Sequence, residues 1–430
     1  MTRWGAVVAV ALSVVLAALD LTAVVVALPL MGEDLGAGPT VTQWVLHAYN
    51  LPMVALSIPA GRWLDRAGHR PAFLLSVVGF GVASLAIALA PTAELVLAGR
   101  AAQGVFSALI GAVTMPVISA VVHPRHRGRA MGLVLTLIPL SGVAGPALGG
   151  VLTDAFGWRS VFLINVPVVL VAVVVGLRTI ARSERGLPWP GKRLLLEAAV
   201  VGVGATALFV HVYLLPVTVL ALVVWLRLPE ARPVRDMLRR PRLSLALVSM
   251  PLIIVGIAAL NFAVPYLIAD RPAVVIGVAV LSMSAGMAVF SPIAGVLADR
   301  FGARPVAAVG AVVALVGTAL LLPVDATTPT ADLVWRLAVL GVGHGLFAGP
   351  NAAAILAETP PDLVGTSGGL TSLLRTLGFS AGPALAAAIG AFTPALIALL
   401  VVTALGITAS AAQLRWSHRA HDLPFERRAN

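Results

Sequence analysis

The chain begins with an apolar stretch from Gly5 to Met31 that contains a single charged residue, Asp20. About 20 apolar residues are enough to cross a bilayer as a helix, and such stretches recur along almost the whole sequence. Only 11% of the 430 residues are charged and 59% are hydrophobic, whereas roughly a quarter of the residues in soluble domains are charged. A β-barrel would instead show alternating segments of about ten residues. The sequence therefore predicts an all-α polytopic membrane protein.

The connections between the apolar segments alternate in charge. Basic connections lie at 61–71, 123–129, 178–193, 227–242 and 299–304 and in the tail after residue 415, whereas the alternate connections are mainly acidic. By the positive-inside rule both termini are then cytoplasmic, and the net charge of +11 reflects orientation rather than nucleic-acid binding. Fourteen spans are predicted, at about 5–31, 42–60, 72–91, 93–122, 128–153, 160–178, 194–209, 212–226, 244–269, 273–297, 305–323, 333–356, 364–389 and 392–413.

The segment 194–226 lies between two basic connections, so it must cross the membrane twice or not at all. We interpret it as two short spans. The loops GRWLDRAGHRP (61–71) and GVLADRFGARP (295–305) share Gly, Asp, Arg, Gly, Arg and Pro in register, which indicates two parallel halves, a known transporter architecture. We predict two pseudo-symmetric six-helix bundles at 1–178 and 243–414, with linkers and the inserted hairpin at 179–242 and a cytoplasmic tail at 415–430.

Four motifs carry a family resemblance. The loop motif at 61–71, LAGRAAQG (97–104), SGVAGPALGG (141–150) and LDLTAVVVALP (19–29) resemble the motifs of the major facilitator superfamily, and with the extra hairpin those of its fourteen-span drug:proton antiporter family. Two positions depart from the pattern, because Val25 replaces a usual Asn and Ser141 a usual Gly. The change at Val25 removes a polar cavity group, whereas Ser141 is still small enough for close helix packing.

The two charged groups of the first and fourth spans lie at a similar depth. Asp20 follows Arg3 by 17 residues, about 25 Å along a helix, and Arg100 lies about 9–12 Å from the outer face. Isolated charges are costly in hydrocarbon but tolerable when paired or facing a wet cavity. We therefore interpret Asp20 as the proton-binding group and Arg100 as the cation that favours its charged form. The alternative is a static ion pair that only sets packing.

The repeated loops are candidates for gating. Gly68 and Gly302 allow a turn that residues with a Cβ resist. By resemblance, the loop residues form charge–dipole contacts that latch the cytoplasmic side in one conformation; the alternative is an anchoring basic loop. The candidate gating residues are Gly61, Asp65, Arg66, Gly68, Arg70, Gly295, Asp299, Arg300, Gly302 and Arg304.

A Gly-Pro kink is predicted in the fifth span. Pro146 removes a helix hydrogen bond, and Gly145, Gly149 and Gly150 let another helix approach closely. By resemblance the kink marks an exchanger, whereas the alternative is ordinary small-residue packing. Polar residues within other spans are candidates for the substrate cavity: Gln43, Gln103, Asn261, His344, Asn351 and Arg375.

Two of the polar candidates have alternative interpretations, and the position of Glu197 is predicted. His344 is a titrating group or a neutral packing histidine, and Arg375 is a cavity cation or half of a buried ion pair. Glu197, near the end of its span, is expected to snorkel to the interface. Because Asp20 is the one clear deep acid, neutral or anionic amphiphiles are favoured over lipophilic cations.

The predicted function is proton-coupled export of small organic amphiphiles, drugs or antibiotic-like metabolites, by alternating access between the two bundles. The alternative is an uptake symporter or a lipid-type transporter of the same superfamily. An enzyme is disfavoured because the sequence holds no HExxH or comparable catalytic pattern. The expected partners are substrate, protons and the lipid bilayer of the cell membrane. No nucleic acid, metal or cofactor is expected. The protein is expected to act as a monomer, with a proton gradient as its energy source.

Overall fold

The computed structural model describes residues 4–182, 185–189, 191–210, 215–268, 270–271, 273–389 and 392–421. These residues form helices and loops and contain no β-strand. The helices are α1 Trp4–Asp34, α2 Pro39–Leu64, α3 His69–Ala88, α4 Ala93–Val121, α5 Arg127–Phe156, α6 Ser160–Leu163, α7 Asn165–Thr179, α8 Lys192–Val210, α9 Leu215–Arg227, α10 Arg232–Leu238, α11 Pro241–Leu267, α12 Ala273–Phe301, α13 Ala303–Leu320, α14 Thr330–Glu358, α15 Val364–Ile389 and α16 Phe392–His421.

Nine stretches of helix within the described residues are long and apolar enough to cross a membrane, and α5 is a tenth if its two parts, bent at residue 143, are counted as one span. Helices suit this environment because each satisfies its own backbone hydrogen bonds in lipid. The remaining four predicted spans coincide with α2, α8, α9 and α15, and fourteen spans stay a prediction. The predicted turn of the inserted hairpin, at 211–214, lies outside the described residues.

The helices form two compact units. The first holds α1 to α4, α5 from Leu137 onward, α6 to α9 and the start of α15 as far as Leu373. Its core includes Met31, Ile87 and Phe162, each at most 1% exposed. The tight packing of this unit fixes the polar side chains that α1, α4 and α7 carry inward.

The second unit holds the first turns of α5, from Arg125 to Thr136, together with α11 to α14, the rest of α15 and α16. Its core is built from aliphatic and Met side chains, among them Met283, Leu337 and Leu399. Small residues bring its helices together, since a Cβ at Gly341 would collide with the backbone of Met283. The predicted boundaries at 178 and 242 are not tested by this division and stay predictions.

Candidate proton-coupling and gating sites

A fully buried ion pair joins the first and fourth helices of the first unit. The Oδ2 of Asp20 in α1 lies 2.5 Å from the Nη1 of Arg100 in α4, and neither side chain is exposed. Both residues were predicted to lie at one depth, and the structure brings them into contact. Because each charge compensates the other, the pair is tolerable inside an apolar core.

Two amides complete the surroundings of the Asp20 carboxylate. Its Oδ1 accepts hydrogen bonds from the Nδ2 of Asn165 at 2.7 Å and from the Nε2 of Gln103 at 3.3 Å. The same two amides donate to the hydroxyl of Ser84, at 3.2 and 2.7 Å, and the Oε1 of Gln103 accepts from Arg100 at 2.7 Å. The carboxylate is therefore held by donors from three directions, as an ionised acid requires.

The guanidinium of Arg100 is held by aromatic and backbone groups. Its Cζ lies 4.4 Å from the ring centroid of Tyr49, a cation–π distance, and its Nε donates to the carbonyl of Val45 at 3.1 Å. The Nη2 of Arg100 has no hydrogen-bond partner in the described part of the chain. The Tyr49 hydroxyl donates to Ser107 at 2.7 Å, so the ring is fixed on both sides.

The predicted kink of the fifth span packs against the first span, one turn from Asp20. A Cβ at Gly145 would collide with the side chain of Thr22, and one at Gly149 with the backbone of Ala23. The Thr22 hydroxyl also lies 3.2 Å from the carbonyl of Ser141. At Gly150, by contrast, an added Cβ would meet Val26 at an ordinary 3.9 Å. Two of the three glycines thus set the approach of α5 to α1, and Pro146 is exposed.

The first candidate gating loop caps another helix. The carboxylate of Asp65 accepts hydrogen bonds from the backbone N–H of Gly365 at 2.5 Å and of Thr366 at 3.0 Å, in the first turn of α15. The Thr366 hydroxyl donates to it as well, at 2.5 Å. This places a negative charge at the positive end of a helix dipole. Burial nevertheless raises the pKa of the Asp65 carboxyl from 3.8 to about 6, against the lowering effect of these hydrogen bonds.

The second candidate gating loop repeats the arrangement in the second unit. Asp299, at the end of α12, accepts from the backbone N–H groups of Gly128 and Arg129 in the first turn of α5. Its Oδ2 lies 3.7 Å from the Nδ1 of His126. In both loops the Asp therefore bonds the second and third amides of a helix that is distant in sequence, which matches the repeat found in the sequence.

Glycines let the backbones meet beside each of these aspartates. A Cβ at Gly61 would collide with the carbonyl oxygen of Gly365, and one at Gly295 with the backbone of Arg129. Gly302 has a φ of +91°, as the turn argument predicts. Gly68 does not, because its φ is −72° in an extended conformation that any residue adopts; the turn argument is wrong for Gly68.

The arginines of the two loops differ in their contacts. Arg304 forms an ion pair with Glu358, and the Cζ of Arg300 lies 5.1 Å from the ring centroid of Phe301. Arg66 is exposed and Arg70 half-buried. The repeat therefore applies to the aspartates and the adjoining glycines rather than to the surrounding positive charges.

Three of the predicted cavity residues already form hydrogen bonds within the protein. His344 is buried, with its Nδ1 3.0 Å from the carbonyl of Leu340 and its Nε2 2.9 Å from that of Ile253; a neutral ring can donate to one of them and a protonated ring to both. The amide of Asn351 donates to Ala246 at 3.1 Å, and that of Asn261 to Ile257 of its own helix at 3.0 Å.

The other cavity candidates differ from one another. Gln103 belongs to the Asp20 site, and the side chain of Gln43 lies outside the described residues. Arg375 is half-buried in α15, and within the part of the chain that the structure describes it forms no ion pair or hydrogen bond. An unpaired guanidinium this far from either end of a helix is unusual, because ionisable groups inside membranes normally pair or face water.

The position of Glu197 differs from the expectation. It does not snorkel: it is 1% exposed and lies 2.5 Å from Arg62 of α2, while the Trp225 indole of α9 donates to it at 3.0 Å. Sequence reasoning also missed Asn165, Ser84 and Tyr49 around the Asp20 pair. Asn165 could have been identified from the sequence, because it is an amide at the start of an apolar span. The same criterion, a polar residue within an apolar span, identified Gln103.

Comparison with known proteins agrees with the predicted superfamily. The model of the Major Facilitator Superfamily matches residues 10–383 and 246–426. The chain is 31% identical over 409 residues to the tetracenomycin C resistance and export protein of Streptomyces glaucescens, covering 89% of this chain and 74% of that protein. It is 25% identical over 414 residues to the riboflavin transporter RibZ of Clostridioides difficile, covering 89% and 87%.

Two further matches extend this picture. The puromycin resistance protein pur8 of Streptomyces alboniger is 31% identical over 413 residues, which cover 89% of this chain and 81% of that protein. The crystal structure of the human organic anion transporter MFSD10 superposes with a TM-score of 0.70 at 15% identity, covering 96% of this chain and 99% of that one, a likeness of fold alone. The chain belongs to the Major Facilitator Superfamily, a family of membrane transporters.

Proposed function

We propose that this protein is a proton-coupled antiporter that exports small organic amphiphiles. The observation that carries the proposal is the wholly buried Asp20–Arg100 pair, whose helix packs on Gly145 and Gly149 directly beside the acid. A charged pair in this position is costly to build and marks a functional site in membrane helices. The name of the tetracenomycin C relative supports export rather than another kind of transport, and the puromycin relative is likewise named for resistance to an antibiotic.

The coupling step follows from the charge balance of this site. Protonation of Asp20 removes the negative charge that compensates Arg100, so the buried guanidinium is left without a counter-ion, and such a state is strongly destabilised. To remove this destabilisation, α1 and α4 must move relative to each other or admit water to the guanidinium. Because α1 contacts α5 at Thr22 and Ala23, a movement of α1 changes the packing at the kink. Uptake of a proton is thereby linked to a rearrangement of the helices.

The gating role of the two loops belongs to the same proposal. Each places an aspartate on the first turn of a distant helix, so opening of either contact exposes a carboxylate and two amides together. The expected architecture has fourteen spans with both termini in the cytoplasm of a cell-membrane protein. The protein acts as a monomer and draws its energy from a proton gradient, with no cofactor.

For the substrate we favour neutral or anionic amphiphiles. Arg375 supplies an unpaired positive charge among the described residues, whereas the carboxylate of Asp20 is already engaged by Arg100, Asn165 and Gln103. A cationic substrate would have no free acid to meet at this depth. Efflux measurements in a transporter-deficient host, with compounds sorted by charge, test this preference. A marked preference for methyl viologen or other cations would overturn it.

Everted membrane vesicles test the antiport itself. In vesicles with a pre-formed pH gradient, an exported compound from that panel should dissipate the gradient when the wild-type chain is present. Asp20→Asn should abolish this response at unchanged expression, whereas Asp325→Asn, in an exposed loop, should leave it intact. Wild-type transport by the Asp20→Asn variant would overturn proton coupling at this residue. Deepening of the gradient on addition of substrate would instead indicate uptake with protons.

A further inference from the structure

A cavity of 450 Å³ lies where the inserted hairpin meets α2 in the first unit. It is bounded by the end of α2, by Pro188, Trp189 and Gly191, by the first turns of α8 and by the residues just after α9. This cavity is separate from the Asp20 site and from the Asp65 contact with α15. Its lining includes Trp63, Arg66, Trp189, Lys192, Arg193 and Glu230.

Among the described residues, two cations around this cavity have no counter-ion. The two acids of the lining are each met by an arginine, Glu197 by Arg62 at 2.5 Å and Glu230 by Arg193 at 3.8 Å. Arg66 and Lys192 are exposed, and neither forms an ion pair or hydrogen bond with the described residues. The lining therefore includes two exposed positive donors suited to an anion that offers several oxygens.

Two tryptophans indicate the depth of the cavity relative to the bilayer. The Trp63 indole donates to the carbonyl of Pro188 at 2.8 Å, which fixes the loop that carries Trp189. The Trp189 side chain is 91% exposed. Indole rings concentrate at the boundary between hydrocarbon and head groups, so this arrangement indicates that the cavity opens at the head-group level.

Beyond the cavity, the hairpin presents an apolar outer surface. Large side chains of α8 and α9 point away from the protein, among them Leu195, Leu196, Val203 and Leu220. A ligand bound at Arg66 and Lys192 would have this surface beside it. A small inorganic anion would make no use of the surface, whereas a molecule with an anionic head and two acyl chains would contact both.

We propose that this cavity binds the head group of an anionic phospholipid. The phosphate oxygens accept hydrogen bonds from Arg66 and Lys192, the acyl chains lie along α8 and α9, and Trp189 packs at the glycerol level. Basic pockets beside membrane helices bind anionic head groups in this way. The lipid then joins the hairpin to α2, supplementing the Arg62–Glu197 pair. The proposal rests on α8 and α9 crossing the membrane and is independent of the transported substrate.

Native mass spectrometry of the purified full-length protein tests this site. Phosphatidylglycerol should remain bound about tenfold more tightly than phosphatidylcholine with the same acyl chains, since the latter has no net charge. The double variant Arg66→Gln/Lys192→Gln should lose this preference. The matched control is Arg178→Gln/Arg182→Gln, which removes two exposed charges elsewhere in the same unit and should retain it.

Two further measurements separate the alternatives. Inorganic phosphate at millimolar concentration should not displace the lipid, and Trp189→Ala, which alters a side chain on the surface, should weaken lipid binding without changing the melting temperature. Equal affinity for the two lipids, equal losses in the two double variants, or full displacement by inorganic phosphate would each overturn the proposal. The last result would indicate a free-anion site instead.

Discussion

Asn165, the first residue of α7, donates a 2.7 Å hydrogen bond to the carboxylate of Asp20 in α1. The contact ties a third helix to the pair formed by α1 and α4. Since this amide supplies one of the donors that a carboxylate needs in a dry core, the hydrogen bonding of Asp20 depends on the position of α7 as well as on Arg100.

Replacement of this amide should impair coupling. We expect Asn165→Ala to remove a hydrogen bond to a charged group, worth about 1.5–3 kcal/mol, and to slow proton-coupled efflux severalfold. The control is Thr408→Ala, because the exposed Thr408 hydroxyl donates to Leu405 of its own helix and no role is predicted for it. Efflux rates in everted vesicles measure the effect. Equal rates in the two variants would contradict a role for Asn165 at the Asp20 site.

The Asp20–Arg100 pair should show strong non-additivity. Arg100→Gln leaves a buried carboxylate without its cation and should destabilise the protein by about 3–5 kcal/mol. Asp20→Asn/Arg100→Gln removes both charges, so we expect it to melt above the Arg100→Gln single variant. Thermal melting of the purified variants provides the double-mutant cycle. Additive losses would show that the two charges do not depend on each other.

The glycines of the kink should differ in their tolerance of a methyl group. Gly149→Ala places a Cβ against the backbone of Ala23, which cannot move aside, and should cost about 1–3 kcal/mol. Gly150→Ala meets only ordinary contacts and should be close to neutral. Melting temperature and efflux rate are measured for both. A neutral Gly149→Ala would mean that α1 and α5 do not pack closely at this point.

The contact between Asp65 and α15 should respond to pH. The pKa of about 6 in the closed contact lies above the ordinary 3.8, so the closed form binds the proton more tightly than an opened form exposed to water. Stability of the contact is therefore full below about pH 4 and is lost as the pH rises through 6. Hydrogen exchange of the Gly365 and Thr366 amides, corrected for the intrinsic effect of pH, should show protection that falls over this range.

The control for this pH effect is Asp65→Asn, which cannot ionise. Protection of the same amides in that variant should be independent of pH between 4 and 7. An increase in wild-type protection with rising pH would contradict a raised pKa for Asp65 in the closed contact.

Substitution of the two loop glycines should distinguish a conformational requirement for glycine from a steric one. Gly302 has positive φ in a region that is nearly closed to other residues, so Gly302→Ala should cost about 1–3 kcal/mol. Gly68 is extended with a φ of −72°, and Gly68→Ala should change the melting temperature little. Similar losses in the two variants would show that the repeat demands glycine for another reason.

The sequence was informative where one residue was out of place in its surroundings. Asp20 and Arg100 stood out as charges in apolar runs, and helix geometry sufficed to place them at one depth. The repeat of Asp65 and Asp299 was also visible in the sequence. Their partners were not, because the backbone amides that the two aspartates contact lie in helices that are distant in sequence. Such pairings depend on tertiary packing and leave no local pattern.

Two expectations failed for related reasons. Glu197 lies near a span end, where long side chains usually reach water, but Arg62 and Trp225 come from other helices and make burial the better outcome. Gly68 shares its motif position with Gly302, yet the two loops differ in conformation because the N–H of Gly68 donates to Gly186 at 3.1 Å. In both cases a contact with a residue that is distant in sequence determines the outcome, which is the burial of Glu197 in one case and the backbone conformation of Gly68 in the other.

The meeting of Gly61 with Gly365 is a contact between two bare stretches of main chain. Neither residue has a rotamer to reset, so parting the two helices at this point requires no repacking of side chains and incurs little friction. The directional bonds beside it converge on one carboxylate, that of Asp65. We expect a seam of this kind to open and reclose reversibly, with a strength that varies with the charge of one carboxylate rather than with the fit of many side chains.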